Sequence, residues 1–139
     1  LTYLFIVDDL AVIKYLRDRV AVMYLGVIVE VANSNEIYEE PLHPYTQALM
    51  SAIPIPDPSV EESRRRIILS GDVPSPDKER HGCYFYDRCP KRMFKCKTNV
   101  PRLQEVRKDH YAACFLYFEP GDQSGTADGA GARDQLGSA

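Results

Sequence analysis

The feature that most constrains this chain is a group of four cysteines, which are the only cysteines in the sequence. Cys83, Cys89, Cys96 and Cys114 follow the spacing C-x5-C-x6-C-x17-C. Soft metals bind where several thiolates converge, and closely spaced ligands let one loop supply them with little loss of chain entropy. The pattern therefore indicates a bound metal or cluster, while two disulfides or four inert free thiols remain as alternatives.

Length and charge narrow the class of protein. The chain has 139 residues, which suits one modest domain, and its net charge of −3 gives no indication of a nucleic-acid partner. The apolar run at residues 1–7 meets Asp8 and Asp9 too early to span a bilayer, and it lacks the features of a secretory signal. We therefore expect a soluble, intracellular piece of a longer protein, in a reducing compartment that weighs against disulfides.

The first third of the sequence predicts alternating strands and helices. Residues 1–7 form a continuous run of β-forming residues, which is typical of a strand buried in a parallel sheet. A helix is predicted from Leu10, with Asp8 or Asp9 as its cap. Leu25-Gly26 indicates a tight hairpin turn. The remaining predicted elements are two strands around that turn and two helices, at residues 19–24, 27–31, 34–38 and 44–52.

After residue 52 the composition changes. We expect a Pro-rich linker without regular structure, one short strand at Ile67-Ile68-Leu69, the cysteine segment at about 81–114, and a final strand at Ala112 to Phe118. From Glu119 the residues have almost nothing to bury, so a disordered tail is predicted. The predicted domain organisation is 1–52, a linker at 53–63, a cysteine-containing extension at 64–118, and a tail at 119–139.

Several strings of residues resemble one branch of the ABC-transporter ATPases. Glu40-Pro41-Leu42-His43-Pro44-Tyr45-Thr46-Gln47-Ala48-Leu49 is similar to the string that marks the dipeptide, oligopeptide and nickel importer branch. The other similar strings are Leu1–Ile6 with Asp9–Val12, Asp18–Gly26, Gly71–Pro76, Gly82-Cys83, Arg88-Cys89-Pro90 and His110–Cys114. The resemblance implies an α/β fold. It would comprise a partial P-loop ABC-ATPase core (the last sheet strand, a helix, a hairpin and helices) and an irregular Cys-rich C-terminal extension.

The resemblance also implies a function. Such a chain would be the C-terminal part of an ATP-binding subunit that couples ATP binding and hydrolysis to peptide uptake. It would be cytoplasmic, peripheral at the inner face of the membrane, and partnered by a second ATP-binding subunit and membrane-spanning permease subunits. ATP and Mg²⁺ would bind only in the full-length subunit, because this sequence contains no G-x-x-x-x-G-K-[ST] motif. Alternatives are a separate Cys-ligated module that docks on a partner ATPase, or a partial reading frame without function.

Asp8 occupies the position at which the resembled family carries a switch histidine. That histidine donates a hydrogen bond to the γ-phosphate, whereas a carboxylate only accepts hydrogen bonds and repels phosphate. The resemblance therefore implies an altered catalytic position at Asp8. The simpler interpretation is that Asp8 caps the following helix.

For the cysteines, the resemblance favours a four-iron four-sulfur cluster held by Cys83, Cys89, Cys96 and Cys114, with zinc as the alternative. Zinc sites usually show C-x2-C pairs, which this sequence lacks. His110 is a minor candidate ligand, on the expectation that a helix carries it toward Cys114. A cluster here would be structural, because the segment has few apolar residues with which to fold alone.

Overall fold

The computed structural model describes residues 1–15, 18–63 and 65–122, so most of the predicted tail, 123–139, lies outside the described residues. Within these ranges the chain forms five short helices, one 3₁₀ turn and four strands. The helices are α1 (Leu10–Ile13), α2 (Ser34–Glu39), α3 (Pro44–Ser51), α4 (Pro58–Ser63) and α5 (Lys95–Thr98), and the 3₁₀ turn is Tyr86–Arg88. The strands are β1 (Arg19–Tyr24), β2 (Val27–Asn33), β3 (Gln104–Arg107) and β4 (His110–Ala112).

The predicted hairpin is confirmed. Strands β1 and β2 pair antiparallel from Arg19 opposite Asn33 to Tyr24 opposite Val27. The two turn residues both have positive φ angles, 48° at Leu25 and 80° at Gly26. Two consecutive left-handed residues match the right-handed twist of the flanking strands, which is why a glycine is favoured here.

The two predicted helices after the hairpin are also confirmed, and both begin at a side-chain cap. The side chain of Asn33 accepts a hydrogen bond from the Asn35 N–H at the start of α2. The Nδ1 atom of His43 accepts the Tyr45 N–H at the start of α3, where Pro44 occupies the first helical position. These caps satisfy backbone donors that a helix cannot satisfy internally.

The extension contributes strands to the same sheet, which the sequence interpretation did not predict. The strand order is β1-β2-β4-β3, and all neighbouring pairs are antiparallel. Strand β4 pairs with β2 through Glu30 opposite Ala112 and Val31 opposite Tyr111. The expectation that His110 lies on a helix was wrong, because it begins strand β4. The described chain is therefore a mixture of helices and an antiparallel sheet, consistent with an α/β class.

Four further local predictions were wrong. Residues 1–7 form no strand and are exposed, because a parallel-sheet strand needs neighbours and none of the four strands pairs with them. The linker contains helix α4, since Pro58 suits a first helical turn and the Asp57 carboxylate accepts the Ser59 N–H. Residues 67–69 have no regular structure. The predicted strand within 112–118 is limited to the end of β4 at Ala112.

The core lies between the hairpin, the helices and the cysteine segment. Phe85, from the cysteine segment, is 1% exposed. Its ring meets Tyr24 edge-on at 5.1 Å and lies 5.4 Å from Tyr45 and 5.6 Å from His43, measured between ring centroids. The remaining fully or largely buried members of this core are Val22, Val29, Ala32, Ile37, Met50 and Ile53. One aromatic side chain thus joins the extension to the hairpin and to α3.

Candidate metal centre

Three of the cysteines belong to one compact loop. The Cys83 N–H donates to the Cys96 carbonyl at 2.9 Å, which closes the loop on itself. Within it, the Cys89 N–H donates to the Tyr86 carbonyl at 3.3 Å and the Cys96 N–H to the Met93 carbonyl at 3.0 Å. These backbone hydrogen bonds all lie within the loop that carries three of the cysteines.

Cys114 joins this group from the end of strand β4. It is buried, as is Cys96, whereas Cys83 and Cys89 are half-buried. Burial raises the pKa of Cys83 to about 11 and that of Cys114 to about 12. Negative charge on Cys83, Cys89 and Cys96 is a smaller cause of the raised pKa of Cys114, so the four thiols are within electrostatic range of one another. That these four cysteines are ligands of one centre stays a prediction.

The four sulfur atoms are free thiols, and none of them forms a disulfide. Within residues 1–15, 18–63 and 65–122, no group of three His, Cys, Asp or Glu side chains has the arrangement that holds a single metal ion. The donor chemistry available is that of four thiols, three from one loop and one two residues beyond the end of β4. That chemistry suits soft metals.

Gly82 allows the loop to close. A Cβ atom at this position would overlap the backbone carbonyl oxygens of Cys96 and Lys97, so only glycine permits the Cys83–Cys96 hydrogen bond. We expect Gly82→Ala to lower the free energy of unfolding by about 2 kcal/mol or more, as overpacking against backbone does. Urea denaturation measures this, with His81→Ala at the exposed neighbouring position as the control. An equal effect of the two variants would contradict this role of Gly82.

A buried carboxylate anchors the extension to the sheet. Glu30, in β2, is fully buried and accepts the Leu42 N–H at Oε1 and the His43 N–H at Oε2, each at 2.8 Å. The Nε2 atom of His110 lies 2.6 Å from the same Oε1, and both side chains are 0% exposed. We call these contacts the Glu30 network. It links β2, β4 and the start of α3 through one carboxylate. A buried carboxylate is stable only when hydrogen-bond donors surround it, as they do here.

The Glu30 network was missed by the sequence interpretation. Glu30 and His110 are 80 residues apart, so no local spacing connects them. The available signal was chemical: Glu30 is the one charged residue in the otherwise apolar run Val27–Ala32. A carboxylate in a strand of that kind is either exposed on one face or paired, and its pairing partner has to come from elsewhere in the chain.

The turn that precedes α3 receives further contacts from the extension. The Tyr117 hydroxyl donates to the Leu42 carbonyl at 2.7 Å, and the Lys91 ammonium donates to the Gln47 side chain at 3.1 Å. The Gln47 amide in turn donates to the Pro41 carbonyl at 3.0 Å. The string that carries the family resemblance is thus the surface on which the cysteine segment packs.

His43 gives this region a dependence on pH. Burial lowers the pKa of His43 to about 4, from an ordinary value of about 6.5. Between these two values the unfolded chain binds a proton that the folded chain does not, so folding is weakened as the pH falls from 6.5 to 4. We expect His43 to contribute a loss of up to about 1.4 kcal/mol of unfolding free energy per pH unit in that window.

The measurement is urea denaturation at pH 7, 6 and 5. His43→Asn is the matched control, because asparagine also caps helices and does not titrate. The wild-type chain should lose more stability than this variant over the same interval. Parallel losses in the two proteins would contradict the assignment to His43.

The other predicted site residues lie apart from the cysteines. Asp8 is exposed, and the helix cap is Asp9, whose side chain accepts the Ala11 N–H at 2.9 Å. Basic side chains near the cysteines have local partners: Lys95 pairs with Glu119 at 2.7 Å, and Arg92 lies over the Tyr86 ring at 5.7 Å. These contacts are those of an ordinary solvated surface that carries basic side chains. None of the described helices has the length and apolar character that crossing a membrane requires.

Comparison with known proteins gives consistent matches. Residues 29–96 match the family model described as "Oligopeptide/dipeptide transporter, C-terminal region". The chain is 50% identical over 117 residues to YkfD of Bacillus subtilis, named as an oligopeptide transport ATP-binding protein, covering 84% of this chain and 36% of that relative. It is 54% identical over 115 residues to a Brucella ovis protein, BOV_A0347, named as a peptide import ATP-binding protein, covering 83% and 36%.

A third relative, the oligopeptide transport ATP-binding protein AppF of Bacillus subtilis, is 46% identical over 117 residues, covering 84% of this chain and 36% of the relative. The chain thus spans about a third of the length of the curated relatives it matches. These matches do not favour the alternative of an independent interaction module. The chain corresponds to the C-terminal region of oligopeptide and peptide import ATP-binding proteins.

Proposed function

We propose that this chain is the part of a peptide importer's ATP-binding subunit in which a four-cysteine metal centre braces the ATPase domain. The observation that supports this most directly is the Glu30 network. It ties strand β4, which leads to Cys114, to the hairpin and to the start of α3. A metal centre that fixes the cysteine segment would therefore also stabilise the sheet.

The proposed ligands are Cys83, Cys89, Cys96 and Cys114, and the proposed centre is a four-iron four-sulfur cluster, with zinc as the alternative. When bound, such a centre supplies covalent cross-links between the loop and the strand end. The chain's own residues do the rest. Phe85 packs the loop on the core, and the loop hydrogen bonds hold three thiols in place. The role is structural, because small segments with little core commonly gain stability from metals.

At the level of the whole subunit, the proposed activity is ATP binding and hydrolysis coupled to peptide uptake. The names of the relatives, which are peptide import and oligopeptide transport ATP-binding proteins, support this. The proposed partners are a second ATP-binding subunit and membrane-spanning permease subunits, and the proposed location is the cytoplasmic face of the membrane. The present chain alone is expected not to hydrolyse ATP, because its sequence contains no phosphate-binding loop.

Anaerobic purification followed by iron, sulfide and zinc analysis tests the metal centre. We expect about four iron and about four sulfide per chain, with a loss in each cysteine-to-serine variant. Stoichiometric zinc without sulfide would establish the zinc alternative. A chain that takes up neither metal, with wild-type stability, would overturn the proposal.

Asp8 is proposed to weaken hydrolysis in an intact subunit, because a carboxylate at the switch position repels the γ-phosphate and cannot donate to it. Asp8→His in a full-length subunit should raise ATP turnover by about tenfold or more, the scale of restoring one donor to the reacting phosphate. Asp8→Ala is the control, because it removes the charge without adding a donor. Equal turnover in the wild type and the histidine variant would leave Asp8 without a catalytic effect.

A further inference from the structure

The four thiols reach the proposed centre by two independent routes. Cys83, Cys89 and Cys96 belong to a loop that the Cys83–Cys96 hydrogen bond closes at 2.9 Å. Cys114 follows strand β4, and its position depends on how that strand is held. In the proposed centre, the loop would supply three of the ligands and the segment after β4 the fourth.

Strand β4 is short and has few backbone contacts with the hairpin. It pairs with β2 at two residue positions, and one further bond joins the Ala113 N–H to the Val29 carbonyl at 2.8 Å. Side chains two residues apart on a strand share a face, so His110 projects on the same side as Ala112, which lies opposite Glu30. The 2.6 Å contact between Glu30 and His110 thus acts diagonally across this ladder.

Glu30 is held in place without His110. Its two oxygens accept the Leu42 and His43 N–H groups at 2.8 Å each, so the carboxylate is fixed by the turn before α3. The His110 side chain has no other hydrogen bond within the described residues, since its buried Nδ1 atom has no partner there. The carboxylate is therefore the fixed point, and the histidine is the group that it orients.

We propose that Glu30 and His110 are positioning residues that set strand β4 so that Cys114 meets the three thiols of the 83–96 loop. The role given to Cys114 as a fourth ligand rests on the proposed metal centre, whereas the contact between Glu30 and His110 does not depend on it. His110 is the amino-terminal residue of the strand and Cys114 lies two residues beyond its end. Without the contact to His110, strand β4 keeps its pairing with β3, but only two residue pairs and the Ala113–Val29 bond hold it to the hairpin. The position of Cys114 is then less restricted, while the loop that carries the other three cysteines retains its own hydrogen bonds.

The first arm of the test needs no metal. The metal-free chain is treated with iodoacetamide, and the modification rate of each cysteine is followed by mass spectrometry. In His110→Ala we expect Cys114 to react about tenfold faster than in the wild type, with Cys96 changed little, because only the strand end opens. His110→Gln, whose amide nitrogen can reach Glu30, should restore protection, and His81→Ala is the matched control at an exposed histidine.

The second arm uses the chain reconstituted anaerobically with iron and sulfide. His110→Ala should lower the iron content from about four to about three per chain, with the electron paramagnetic resonance signal of an oxidised three-iron cluster, because three thiolates remain. His110→Gln should restore the wild-type value. A role in stability alone would reduce the loaded fraction without changing the type of cluster.

The outcomes separate the two proposals. Selective labelling of Cys114 supports the positioning role, even if no iron binds and the metal centre itself is refuted. Unchanged labelling in His110→Ala overturns the positioning role. Equal acceleration at all four cysteines, which general unfolding would produce, also overturns it.

Discussion

Phe85→Ala is expected to lower the free energy of unfolding by about 3–5 kcal/mol, the range for removing a fully buried phenylalanine. The side chain is 1% exposed, and its ring contacts aromatic rings from β1 and from the start of α3. Its removal leaves a cavity that these rigid rings cannot fill by small movements, because each is held by its own backbone element.

This loss also detaches the cysteine segment from the sheet, since Phe85 lies between Cys83 and Cys89. The measurement is urea denaturation followed by circular dichroism, as the chain contains no tryptophan. Phe94→Ala is the matched control in the same segment, because Phe94 is 87% exposed and should change stability by less than about 0.5 kcal/mol. Similar losses in the two variants would show that Phe85 does not connect the segment to the core.

Glu30→Ala is expected to have an effect of similar size, about 3–5 kcal/mol, as when one partner of a buried ionic contact is removed. The substitution leaves the Leu42 and His43 N–H groups and the His110 ring without an acceptor, in a place that water does not reach. Each buried donor that loses its partner costs free energy, so the loss exceeds that of a single hydrogen bond.

A double-mutant cycle with His110→Ala separates the two parts of this network. If the contact between Glu30 and His110 is direct, the combined loss should be smaller than the sum of the single losses by about 1 kcal/mol or more. Glu39→Ala, at an exposed carboxylate, serves as the control and should change stability by less than about 0.5 kcal/mol. Additive losses from the two variants would show that Glu30 and His110 act independently.

The sequence allowed those parts of the fold to be predicted whose causes are local. The turn at Leu25-Gly26 and the helix after Pro44 follow from the conformations that glycine and proline favour, and both were found where expected. The spacing also singled out the four cysteines, whose role as ligands stays a prediction. The family resemblance added the identity of the segment, which the comparisons confirm.

The parts that could not be predicted depend on residues far apart in sequence. Strands β3 and β4 have four and three residues, too few for a periodic pattern, and they exist because β2 offers a free edge. Residues 1–7 show the opposite case. Their strand propensity is strong, but no described strand pairs with them, so the propensity is not realised.

The sheet order has a consequence for how the chain is made. During synthesis, β1 and β2 can close their local hairpin early, but the other edge of β2 lacks its partner until the residues around His110 emerge. Glu30 and His110 are separated by 80 residues, and pairing across such a separation is slow. An open strand edge is also a template for pairing with another copy of the chain. The interval before β4 leaves the ribosome is therefore the period in which aggregation competes most strongly with folding.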